Sequence, residues 1–149
     1  GNWAAWYEAQ AAGWSRGFTW PWDSLRHTFE AFAPGAYADH PEWAWVFRAE
    51  VVSMAVGVVV TLGSLVRRRW GEATWVGLQV AAFSVSYWFM SVNRAVLLWF
   101  PLWTWLGELG GSRRKLPTWR AILIGLLVAV ALVTQAIWAW LFFTGRWAA

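Results

Sequence analysis

The sequence predicts an all-α fold: a polytopic transmembrane helix bundle of about four spans with an interfacial amphipathic N-terminal segment. Three observations predict it. Hydrophobic residues make up 59% of the 149 positions and charged residues only 13%, well outside the composition of soluble domains. Apolar stretches recur at about the 20-residue length that a bilayer core demands of a helix. The basic residues gather at the ends of those stretches, where Lys and Arg set membrane topology.

The same composition excludes several classes of function. With no cysteine, there is no disulfide framework, thiolate zinc site, cysteine-ligated iron–sulfur cluster or cysteine nucleophile. The net charge of +4 comes from basic residues clustered beside apolar runs, so it points to membrane topology and not to nucleic acid. Dinucleotide-binding, phosphate-loop, nucleophile-elbow and zincin motifs are all absent. His27 and His40 supply too few ligands for a metal and are read as surface residues. No metal or cofactor is expected. Position 1 is Gly1, and no basic region followed by an apolar run and a small-residue cleavage site follows it, so the expectation is either a processed chain or the C-terminal piece of something longer, with the fragment favoured.

Residues 1–46 form a Trp-rich segment in which Pro21, Pro34 and Pro41 preclude a span. Trp3, Trp6, Tyr7, Gln10 and Trp14 share a helical spacing that suits the headgroup zone. A second short helix is expected from Asp23 as N-cap, through Leu25, Phe29 and Phe32, to Pro34. Residues 47–149 form the bundle, with spans expected at 47–66, 73–92, 94–109 and 119–143, the third kinked at Pro101. Seven of the 12 basic residues, namely Arg67, Arg68, Arg69, Arg113, Arg114, Lys115 and Arg120, fall in or beside two loops, which are therefore inner loops. Six of the eight acidic residues lie at or before the first span. This assignment puts the N-terminal segment, the Ser91–Arg94 turn and the C-terminus together on the outer face.

Small residues recur every four positions in three stripes: Ser53, Gly57 and Thr61; Ala73, Gly77 and Ala81; Ala121, Gly125 and Ala129. Such stripes let helices approach closely, although Gly, Ala and Ser are common in any apolar helix. Arg94 suits bidentate binding of a lipid phosphate; the competing reading is a side chain that snorkels to the headgroups. Arg48 and Glu50 face the same ambiguity, and because residues two apart do not share a helix face, each implies a partner elsewhere. Asp23, Glu30, Asp39 and Glu42 are the outer carboxylates open to acid–base work, but their spacing singles out none of them. The tryptophans stack on sugars in one reading and anchor at the interface in the other.

Four segments taken in order, Glu8-Ala-Gln-Ala-Ala-Gly-Trp-Ser-Arg16, Trp20-Pro-Trp22, Ser91-Val-Asn-Arg94 with Leu97-Leu-Trp-Phe-Pro-Leu102, and Phe142-Phe-Thr-Gly-Arg-Trp147, resemble the C-terminal part of the GT-C integral membrane glycosyltransferases. The branch they resemble is the actinobacterial relatives of the class V phosphatidylinositol-glycan mannosyltransferase. The resemblance implies a bacterial plasma-membrane enzyme that transfers mannose or a related hexose from a polyprenyl-phosphate sugar to a lipid or glycan acceptor on the extracytoplasmic face. It implies Gln10, Trp14, Arg16, Ser91 and Arg94 as substrate contacts. The family carries its catalytic carboxylate in an early loop that has no counterpart here, so no catalytic residue is assigned. The implied partners are the bilayer, the polyprenyl-phosphate-linked donor, and the missing N-terminal portion or another membrane protein. The rival reading is a non-catalytic accessory subunit or lipid-binding scaffold. A small transporter has less support, since no charged residue sits near the centre of an expected span.

Overall fold

A computed structural model describes residues 2, 4–14, 17–110 and 117–145, without the side chains of residues 6, 7, 10, 13, 14, 109 and 110. Among them the chain is all-helical with no strand. The described residues up to Trp99 form one compact unit, and those from Phe100 onward form a second.

In the first unit, α1 (Ala5–Trp14) is followed by α2 (Pro21–Ala31). Pro21 opens α2, because its fixed φ suits the first helical position and its missing N–H is one that would have no intrahelical partner. The residue before the helix is therefore Trp20, and Asp23, the expected N-cap, sits inside the first turn, where it pairs with Arg26 at 3.2 Å. Next comes α3 (Glu42–Val66), which starts five residues before the expected span. Val46, Phe47, Glu50, Met54, Gly57, Val60 and Ser64 are buried along one of its faces, at the three- and four-residue spacing of a packed helix stripe. The opposite face exposes Trp45, Val52, Val59, Leu62 and Val66.

α3 ends in a Schellman turn. The Arg68 and Arg69 amides donate to the Leu65 and Ser64 carbonyls at 2.9 Å each, and Arg68 takes the left-handed conformation, φ 58°, that glycine usually supplies. The return helix α4 (Trp70–Ser84) packs against α3. A Cβ on Gly57 would lie 2.6 Å from both the Trp99 ring and Val80, and one on Gly77 would lie 3.1 Å from Thr61. Two of the three small-residue stripes therefore hold this contact, with Ala73 buried and Ala81 exposed.

The expected span over 73–92 does not form. α4 has 15 residues, about 22 Å of helix, and Val85–Ser91 is irregular. A helix could not continue through that segment and keep its present bonds, because its backbone groups are committed elsewhere. The Val85 carbonyl accepts from the Thr19 amide at 2.9 Å, and the Phe89 amide donates to Thr28 Oγ1 at 2.8 Å. The span over 94–109 does not form either. It divides into α5 (Val92–Ala95), a 3₁₀ turn (Val96–Leu98) and α6 (Phe100–Gly110). Pro101 lies at the start of α6 and does not kink a longer helix.

In the second unit, α6 is followed by α7 (Thr118–Phe143). Two helices, α3 and α7, are long and apolar enough to cross a membrane, and no residue in the most apolar stretch of α7 is buried. The third small-residue stripe is exposed, and a Cβ on Gly125 would meet nothing within 4 Å. These two helices, in place of the four expected spans, suggest a membrane protein.

Gly57→Ala should destabilise the first unit by about 1–3 kcal/mol, the usual penalty for overpacking, read as a lower unfolding midpoint in detergent. Gly77→Ala should cost less, because Thr61 needs to yield only slightly. Arg68→Gly should raise stability by about 1 kcal/mol by removing the left-handed penalty on a side chain bearing a Cβ.

Candidate functional site

The site is built on α3. Glu50 lies eight residues into that helix and is only 2% exposed. A carboxylate placed there without partners would be strongly unfavourable. Its partners are three consecutive backbone amides: Oε1 accepts from Ser91 at 3.0 Å, and Oε2 accepts from Val92 at 2.8 Å and Asn93 at 3.2 Å. These are the amides of the N-cap Ser91 and of the first two residues of α5, which have no helical carbonyl to bond. Bonds from amides to a carboxylate are the stronger, charge-assisted kind. A helix of four residues has no stability of its own; α5 exists because Glu50 holds its start and because Val92 and Ala95 are buried.

The clamp sets the side chains around it. Ser91 is left-handed, φ 68° and ψ 9°, and its Oγ accepts from Arg94 Nη2 at 2.6 Å. The Arg94 guanidinium is exposed and makes no ion pair among the described residues. Ser53, one turn along α3 from Glu50, donates its hydroxyl proton to Asn93 Oδ1 at 2.5 Å. Trp75 Nε1 donates to the Leu98 carbonyl at 3.0 Å, and Trp99 is fully buried against Gly57. Ser91 and Arg94 thus sit on a turn fastened at both ends.

α2 supports the segment that leads into this turn. Thr28 Oγ1 donates to the Ser24 carbonyl at 2.7 Å while accepting from the Phe89 amide. The His27 ring stacks on Tyr87 at 4.1 Å between centroids, and its Nδ1 lies 3.0 Å from the Tyr87 carbonyl. Since a carbonyl only accepts, Nδ1 carries the proton in that contact. His27 is half-buried and makes structural contacts at the surface, whereas His40 is exposed and stacked on Trp43 at 4.5 Å. Trp88 meets Phe47 at 5.3 Å, and Tyr37 stacks on Phe47 at 6.1 Å. Burial, followed by the neighbouring Tyr87 phenol, pushes the Tyr37 hydroxyl above its ordinary pKa.

The residues expected from the sequence fall into two groups. Ser91 and Arg94 are brought together on the clamped turn. Arg16 and the side chains of Gln10 and Trp14 lie outside the described residues. Of the outer carboxylates, Asp23 and Glu30 flank Arg26 at 3.2 and 3.8 Å, and Glu42 lies 3.4 Å from His40. Arg48 and Glu50 each have a partner on another element, Phe32 for Arg48 and the α5 amides for Glu50. Sequence reasoning missed that Glu50 organises the Ser91–Arg94 turn. The available signal was a carboxylate inside an apolar helix, which requires a polar partner, but no spacing rule identifies a partner some 40 residues away.

In comparison with known proteins, the chain matches no family model, no curated protein and no solved structure.

Glu50→Gln replaces one accepting oxygen with a donating amide group and leaves at least one α5 amide unpaired. The expected destabilisation is about 1–3 kcal/mol. Hydrogen exchange at Ser91, Val92 and Asn93 should accelerate roughly 10- to 100-fold, while amides in the middle of α3 change little; equal acceleration throughout the unit would count against a local clamp.

Proposed function

We propose that this chain is the C-terminal portion of a membrane glycosyltransferase that moves mannose or a related hexose from a polyprenyl-phosphate sugar to a lipid or glycan acceptor on the extracytoplasmic face. Arg94 contacts the donor phosphate. One observation carries this reading: an exposed guanidinium without an ion pair among the described residues, its position set by Ser91 Oγ at 2.6 Å on a turn clamped by a buried carboxylate. A fixed, accessible guanidinium has the geometry for bidentate phosphate binding, and prior fixing reduces the ordering penalty of binding. The resemblance of Ser91–Arg94 and its flanking segments to the GT-C enzymes supplies the sugar-transfer chemistry. In this assignment Ser91 orients Arg94, Glu50 positions Ser91, and the carboxylate that activates the acceptor belongs to the portion N-terminal to this chain.

A second reading, a non-catalytic accessory subunit or scaffold, is favoured by α7, whose most apolar stretch has no buried residue and is apolar surface that a larger partner could cover. Co-expression with the N-terminal portion of a GT-C enzyme of this branch separates the two readings. Restored mannosyl transfer supports the enzyme; stable co-purification with an unrelated membrane protein, without transfer, supports the scaffold.

The direct test is binding of polyprenyl-phosphate mannose to the chain in lipid nanodiscs. Arg94→Ala should weaken binding roughly 10- to 100-fold, the loss of one charge-assisted contact, and Arg94→Lys should recover part of it. Equal affinity for all three proteins, with the fold intact, would remove Arg94 from the site and this reading with it.

A further inference from the structure

The residues exposed on α2 do not resemble its buried ones. Ser24, Thr28 and Ala31 are buried, and Asp23, Arg26 and Glu30 form a charged ladder. A third face exposes Trp22, Leu25 and Phe29 at helical spacing. It continues upstream into Trp20, stacked on Trp22 at 5.1 Å and nearly parallel, and Phe18, edge-on to Trp20 at 5.4 Å. The rings at 18, 20 and 22 are 55–65% exposed, on backbone pinned by the bond from the Thr19 amide to Val85 and by Pro21.

Ring and guanidinium contacts join this face to the exposed face of α3. Phe29 meets Phe32 at 5.1 Å, the Arg48 guanidinium lies 5.6 Å from the Phe32 ring, and the same guanidinium lies 4.7 Å from the Trp45 ring. Arg48 is three residues after Trp45 and four before Val52, so it heads the exposed stripe Val52, Val59, Leu62 and Val66. Arg48 is exposed and makes no ion pair among the described residues. From Arg48 to Arg67, where α3 has ended, is about 28 Å of helical rise, close to the roughly 30 Å hydrocarbon thickness of a bilayer.

We propose that the exposed face of α2 together with Phe18, Trp20, Phe32, Trp45 and Arg48 is a bilayer-docking collar, with Arg48 bound to the phosphates of anionic lipid headgroups and the aromatic rings embedded beside it. The occupant is lipid because the face is continuous with the apolar stripe of α3, because its aliphatic Leu25 suits acyl chains and not sugars, and because arginines bracket α3 at the spacing of the two headgroup layers. Indole rings at such a level have both an apolar and a wet neighbour, and a guanidinium resting on aromatic rings keeps its donors free for phosphate. The collar fixes the depth of the Ser91–Arg94 turn, since α2 holds the backbone leading into it. This inference rests on α3 crossing the bilayer and not on sugar transfer.

The chain has no cysteine, so one introduced thiol can be spin-labelled uniquely in the full chain in phosphatidylcholine vesicles containing phosphatidylglycerol. Labels at Leu25→Cys and Phe29→Cys should be accessible to oxygen and shielded from a water-soluble nickel chelate, with the opposite pattern at Arg26→Cys and Glu30→Cys. Nickel access at positions 25 and 29 equal to that at 26 and 30 would overturn the collar, and shielding from both reagents would mean a protein covers it. In a separate arm, Arg48→Gln should reduce the preference for spin-labelled phosphatidylglycerol over phosphatidylcholine at the protein boundary roughly fivefold, with Arg48→Lys retaining most of it. An unchanged preference in a folded Arg48→Gln protein would remove Arg48 from headgroup binding.

Discussion

The Glu50 carboxylate is the constraint on which the rest of the first unit depends. It is a full acceptor set placed inside an apolar helix, and its burial is tolerable only because three consecutive amides converge on it. Those amides are free to converge because α4 stops at Ser84 and the chain becomes irregular before α5. Each half of the arrangement needs the other. The carboxylate without the turn is an unpaired buried charge, and the turn without the carboxylate is a four-residue helix with open amides.

The surroundings follow from that constraint. Irregular backbone away from water is tolerated where protein satisfies its polar groups, and here α2 does much of that: Thr28 serves the Phe89 amide and His27 the Tyr87 carbonyl. Gly57 serves the same end from α3, since its missing side chain leaves room for the Trp99 ring where the segment terminates. The N-terminal region is thereby more than a surface appendage, because α2 supports the segment that leads into Ser91 and Arg94.

Much of the fold was legible in the sequence. The all-helical class, the two long apolar helices, the close approach through Gly57 and Gly77, and a short helix after Pro21 all follow from length, periodicity and residue size. The two expected spans that do not form share one cause. Residues 85–99 are as apolar and aromatic as a span, and hydropathy cannot distinguish a lipid-exposed helix from an irregular segment buried in protein. Pro101 is likewise ambiguous on its own, since the same residue kinks a long helix or begins a short one.

By itself the sequence determined composition, helical class, the pairing-demanding character of Glu50, and the presence of Ser91 and Arg94 three residues apart, because these are properties of single residues or of near neighbours. Only the tertiary structure decided that Glu50 meets Ser91, Val92 and Asn93, that Ser91 is left-handed and orients Arg94, and that Arg48 rests between the end of α2 and Trp45. Those contacts join groups up to 43 positions apart, and no local periodicity encodes such a distance. They are fixed by which buried polar group must find a partner once α3 and α4 have packed.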